Sequence, residues 1–185
     1  MFIRIEDTPN PETLKFIPDS KLDIKKSIFI DKSNIGSAGS FAQAIFKIDG
    51  VKSILLDNGF ISVTKKEKES WEILRTIITS KISSLLNKKE NIENLKSLDN
   101  KNEITKKLSA TEKKIVNLLE EKVKPVVASH GGEISFHSFK EGTVFLELKG
   151  SCAGCPSSTA TLKMGIENML KHFIEEVTEV VEVNS

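Results

Sequence analysis

Residues 88–107, KKENIENLKSLDNKNEITKK, constrain the architecture more than any other stretch. Ten of the twenty are charged, four are Asn and none is aromatic. Such a segment buries too little apolar surface to offset the entropy of ordering it. It reads as a charged linker over residues 88–108, leaving two small domains at 1–87 and 109–185. A solvated helix continuing from Leu86 is the alternative for this stretch. The halves differ mildly in charge: 19 basic and 15 acidic residues leave +4 on 1–108, and 8 against 11 leave −3 on 109–185.

In the first half, Phe2/Arg4 alternate with Ile3/Ile5, and Leu14 and Phe16 repeat at period two, so two strands are expected around the turn sequence TPNPE. Ser27–Ile30 is a third candidate strand. Gly and Ser open the next segment, and Phe41, Ala44, Ile45 and Ile48 follow at helical spacing with Gly50 as the stop. VKSILLDNGFISV predicts a hairpin turning at Asn58-Gly59. A helix capped by Ser70 should bury Trp71, Leu74, Ile77/Ile78, Ile82 and Leu85. The half is α+β.

The second half opens on Ser109-x-x-Glu112, a capping box ahead of Ile115, Leu118/Leu119, Val123 and Val126. Pro125 should kink or loosen the last turns, and Gly131-Gly132 should end the helix. EISFHSF and TVFLELKG form strands around Lys140–Gly142, with Val144, Leu146 and Leu148 on one face. A second helix carries Leu162, Ile166, Met169 and Phe173 as a core-facing stripe, and VTEVVEV closes the chain as a strand. The expected order is α-β-β-α-β.

The chain's only two cysteines, Cys152 and Cys155, lie in GSCAGCPSSTATLKMG between the last hairpin strand and the second helix. Pro156 suits a first helical position, which puts Cys155 about where an N-cap sits. The helix's positive end favours negative charge, so at least one thiol should ionise more easily than an ordinary one, and the thiolate binds metal. Both cysteines flank a glycine at a turn, which argues for a site and against core packing. The motif alone fits half a zinc site, a redox pair, or half the ligands of an iron–sulfur cluster. His130 or His137 could complete zinc, although neither lies in a second closely spaced ligand pair. A thioredoxin-like enzyme would place the motif after the first strand of a different framework. A plain interaction module fits the first half but not the cysteine loop.

Four stretches together resemble the NifU-like (Nfu-type) iron–sulfur cluster scaffold and carrier family. GSCAGCPSSTATLKMGIENMLKHFIEEVTEV resembles its cysteine loop and following helix, and VKPVVASHGGEISF its Gly-Gly segment. RIEDTPNPETLKFIP and VKSILLDNGFISVTK resemble the Nfu N-terminal domain. Where the family usually has aspartates beside Gly-Gly, this chain has His130 and Glu133. The resemblance implies a non-enzymatic carrier that takes a [4Fe-4S] cluster, rather than [2Fe-2S], from upstream assembly machinery and delivers it to apo-proteins. Cys152 and Cys155 would be its ligands. Two thiolates per chain against four for a cubane suggest one cluster bridging a homodimer. Gly154, Ser157 and Ser158 would leave room for the second chain and are not expected as ligands.

A net charge of +1, the absence of Tyr and a single Trp give no footprint for nucleic acid. No apolar run approaches the roughly 20 residues that span a bilayer. The opening MFIRIEDTPN carries Glu6 and Asp7 and lacks a signal-like core or an Arg-rich amphipathic stretch, so the expected location is bacterial cytoplasm, with a mature mitochondrial form as the alternative.

Overall fold

The structure, a computed structural model, describes residues 2–22, 24, 27–87, 108–152 and 156–183. It is an α+β chain that divides into two compact units, Met1–Asp99 and Asn100–Ser185. The stretch assigned above as linker lies outside the described residues, apart from its last residue.

Among its described residues, the first unit is an antiparallel sheet with spatial order β1-β2-β5-β4-β3, together with two α-helices and a short 3-10 turn at Ile35–Ser37. Its strands are β1 (Ile3–Asp7), β2 (Thr13–Pro18), β3 (Ile28–Ile30), β4 (Val51–Leu56) and β5 (Ile61–Lys65). The β1–β2 turn is held by side chains that imitate a backbone turn: the Thr8 hydroxyl donates to the Asn10 carbonyl, and Asn10 Oδ1 accepts from the Glu12 N–H. In the β4–β5 connection the Asp57 N–H reaches the Phe60 carbonyl at 2.9 Å, leaving Asn58-Gly59 at the tip as expected. Helix α1 (Ser40–Phe46) buries Phe41, Ala42 and Ile45, and Gly50 sits at φ +97 just past its end. Helix α2 (Trp71–Asn87) starts where the Ser70 hydroxyl accepts from the Glu72 N–H, and it buries Leu74, Ile78, Ile82 and Leu85. Ile77, expected in that stripe, is 45% exposed. A helix face narrows to the positions that meet its partner, and i+4 steps from Leu74 lead to Ile78 and Ile82, past Ile77.

The second unit follows the α-β-β-α-β order. Ser109 and Glu112 form the full capping box at the start of α3 (Ala110–Leu118). A single π turn, Leu119–Val123, comes next, and then α4 (Lys124–Ser129). Pro125 explains the π turn: it has no N–H for the Glu121 carbonyl four residues back, and its ring would collide with that oxygen. The chain widens instead, and the Lys124 N–H bonds the Leu119 carbonyl five residues back. The extra residue advances the buried face from Val126, which is exposed, to Val127. Ile115, Leu119, Val123 and Val127 thus align on the core at steps of four.

Strands β6 (Gly132–Lys140) and β7 (Thr143–Gly150) pair antiparallel through Glu141-Gly142, both at positive φ, the signature of a tight two-residue hairpin turn. Helix α5 (Pro156–Phe173) carries the chain over to β8 (Glu179–Glu182), which pairs parallel with β7. Ile166 and Leu170 of α5 are buried, and Leu162 and Met169 pack partly against them. Phe173 is 54% exposed rather than core-facing. The helix ends at that residue, and Ile174, whose N–H bonds the Leu170 carbonyl, fills the interior position.

Candidate metal centre

Cys152 lies immediately beyond β7, in the turn that leads to α5. The end of α4 builds its surroundings. Gly131 adopts φ +81, turning the chain out of the helix, and β6 starts at the next residue. Gly132 pairs with Gly150 at the last rung of the β6–β7 ladder. Beyond that rung, the Ser151 N–H donates to the Gly131 carbonyl at 3.2 Å and the Ser151 hydroxyl to the His130 carbonyl at 2.5 Å. The cysteine turn is therefore fastened to the helix end by one main-chain and one side-chain donor of Ser151, both bonded to main-chain carbonyls. The bond from Ser151 uses the carbonyl of residue 130, so it does not depend on which side chain stands there.

The Cys152 residue is only 8% exposed and belongs to the same apolar cluster as Ile115, Leu148, Ile166 and Leu170. This corrects the expectation that neither cysteine is a packing residue. Burial pushes its thiol above the ordinary range. The nearby Ser151 hydroxyl pulls the other way, and the negative charge of Glu182 on β8 adds to the rise. Cys152 is therefore not the thiol that ionises more easily, because removal from water outweighs local polarity. Cys155, the second expected ligand, lies outside the described residues, as does Gly154; the side chains of Ser157 and Ser158 are likewise undescribed. In sequence Cys155 directly precedes Pro156, the first residue of α5.

His130 stands at the C-terminal cap of α4, and His137 lies at the register shift of the β6–β7 ladder. Among the described residues, no three His, Cys, Asp or Glu side chains gather as a metal-ion group, and no helix is long and apolar enough to cross a membrane. Sequence reasoning assigned the Gly-Gly pair to helix termination and missed the second glycine's part. A Cβ at Gly132 would lie 2.4 Å from the Cys152 sulfur. The signal was present, since one left-handed glycine is enough to end a helix.

Comparison with known proteins covers both units. Residues 3–89 match the family model described as "Scaffold protein Nfu/NifU N terminal", and residues 115–181 match "NifU-like domain". The "NFU1 iron-sulfur cluster scaffold homolog, mitochondrial" of Drosophila willistoni is 34% identical over 192 residues, taking in 99% of this chain and 64% of that protein. Its counterpart in Drosophila sechellia is 35% identical over 185 residues, taking in 99% of this chain and 65% of that protein. The chain therefore spans just under two thirds of the length of these relatives. The solution structure of a NifU-like protein from Saccharomyces cerevisiae is 25% identical, with a TM-score of 0.45 over 50% of this chain and 83% of that one. The relatives' names overturn the bacterial cytoplasmic location expected from the opening residues. That expectation rested on a missing leader, and a leader reports on location only when the whole protein begins where the chain does.

Proposed function

The chain belongs to the Nfu/NifU family, and on that premise we propose that it is an iron–sulfur cluster scaffold and carrier. It holds a [4Fe-4S] cluster as cargo on Cys152 and Cys155 and passes it to apo-proteins. The observation that supports this most is the setting of the cysteine turn. The turn lies within the NifU-like match, is fastened to the α4 end at Ser151, and precedes in sequence the N-terminus of α5 at Pro156. A helix N-terminus offers unpaired N–H groups and a partial positive charge to an anionic thiolate cluster.

Two thiolates per chain leave a cubane cluster half-coordinated, so two chains supply the set and the cluster bridges them. A ligand set split between chains releases its cargo more readily than four cysteines of one chain, which suits delivery. The role is that of a carrier and not of a catalyst. An upstream assembly system donates the cluster, and apo iron–sulfur proteins receive it. Residues 1–87 and 109–185 act as separate domains joined by the charged stretch 88–108. The test is anaerobic reconstitution followed by incubation with an apo [4Fe-4S] enzyme. Gain of that enzyme's activity, with matching loss of iron and sulfide from the carrier, is the expected result. A protein that takes up zinc but no iron and sulfide would defeat the reading.

A further inference from the structure

We propose that Gly132 is a positioning residue that stows the Cys152 thiol inside the C-terminal unit, so that the thiol must turn outward before it can hold a cluster. The inference rests on the reading of Cys152 as a cluster ligand and adds to it a second position for that ligand.

The cradle is visible in three distances. A Cβ built on Gly132 would stand 2.4 Å from the Cys152 sulfur, 3.0 Å from its Cβ and 3.1 Å from its backbone nitrogen. Carbon atoms in favourable contact sit about 3.5–4.0 Å apart, so no side chain larger than hydrogen fits beside the sulfur as it lies. The backbone at Gly132 does not itself call for glycine. Gly131, Gly142 and Gly150 nearby all have positive φ, whereas Gly132 does not. What glycine supplies at 132 is room for the sulfur.

The walls of this cradle are main chain and are tied down. Gly132 pairs with Gly150 in the ladder, and both donors of Ser151, its N–H and its hydroxyl, bond to carbonyls at the α4 end, the residue itself being 2% exposed. The softest motion available is therefore rotation of the Cys152 side chain about its own Cα–Cβ bond. A cluster shared with a second chain must be reached from outside, and a residue 8% exposed inside an apolar cluster does not reach it. Stowed and outward positions are thus both required of the same thiol. In the stowed position it is also shielded from alkylation and oxidation.

The test reads the thiol directly in the full-length apo chain carrying Cys155→Ser, so that only Cys152 reacts. Iodoacetamide labelling, followed by mass spectrometry, is compared in buffer and in unfolding urea. Native Cys152 should react on the order of 100-fold more slowly than the unfolded chain, the protection of a group exposed only by local opening. Gly132→Ala in that background should bring the native rate to within about 5-fold of the unfolded one, with circular dichroism unchanged. Ser151→Ala gives an independent reading if Gly132→Ala does not fold, and it should speed labelling by loosening the same wall. Native labelling at the unfolded rate, or full protection persisting in a folded Gly132→Ala chain, overturns the proposal. Cluster uptake with Cys155 restored separates the two claims. Fast native labelling beside normal iron uptake would defeat stowing alone. A thiol freed by Gly132→Ala in a chain that never binds iron would defeat the carrier premise.

Discussion

The two units solve the problem of a small interior differently. The N-terminal unit fills its core with bulk: Phe16 and Phe41 are completely buried, along with Ile30, Ile54 and Ile61. Its buried polar groups are matched, Thr13 to Thr64 through their hydroxyls at 2.9 Å and Lys65 to Glu12. The Trp71 indole N–H donates to the Pro11 carbonyl, which ties α2 to the β1–β2 turn. The C-terminal unit has three strands, and no aromatic side chain among its described residues is fully buried. Its interior admits a thiol and, beside it, a glycine where a larger residue would pack. The difference teaches what each interior makes room for: the unit that gives up packing volume is the one that houses a buried sulfur.

The sharpest way to break this contrast is at the cysteines. Cys152→Ser and Cys155→Ser should each abolish stable cluster binding while leaving the far-ultraviolet circular dichroism largely intact. Iron and sulfide analysis checks this, and full occupancy in either variant would remove the C-terminal unit's special status. A core truncation in the other unit should do the reverse. Phe41→Ala should cost about 3–5 kcal/mol of that unit's stability by leaving a cavity. Iron bound per chain below its melting transition should stay at the wild-type level. A loss of cluster in step with that unit's stability would mean that the two units do not act separately.

The smallest expected effect lies within the C-terminal unit, at Glu167. Its carboxylate is held below the usual range by Lys171, bonded at 2.6 Å, and by the Val180 N–H at the start of β8. A lowered acid contributes stability that is present above its unfolded-state pKa and fades as pH falls through the folded one. The pair is exposed, so the effect is slight. Glu167→Gln should lower the unit's thermal stability slightly at neutral pH and leave the acid end nearly unchanged, so that the fall between them becomes shallower. A fall as steep as in the wild type would show that this contact does not help hold β8 to α5.

Much of this architecture is legible in local sequence because the signals are themselves local. The Ser109–Glu112 capping box, the Asn58-Gly59 tip and the period-two runs of β6 and β7 each act within a few residues. Errors arose where distant parts decide. The π turn at Leu119–Val123 moved burial from Val126 to Val127, and only the completed helix–sheet contact reveals that shift. Phe173 has the right period but stands at the last helical residue, and Ile174 takes the inner place. At the candidate site, the burial of Cys152 was not legible in the local sequence. It depends on Gly132, twenty residues earlier, which meets the sulfur only once β6 and β7 have paired.

The central claim, that the C-terminal unit carries a cluster shared between two chains, is tested most directly by weighing and counting together. Light scattering on matched apo and anaerobically loaded samples gives the mass, and chemical analysis gives iron and sulfide per chain. The apo-protein is expected to be mainly monomeric at micromolar concentration. Loading should drive association by mass action, giving a dimer with four irons and four sulfides per two chains, and a chelator should return it to monomer. A loaded monomer with four irons on a single chain would contradict the account, because two cysteines of one chain would then have to hold what four are needed to hold.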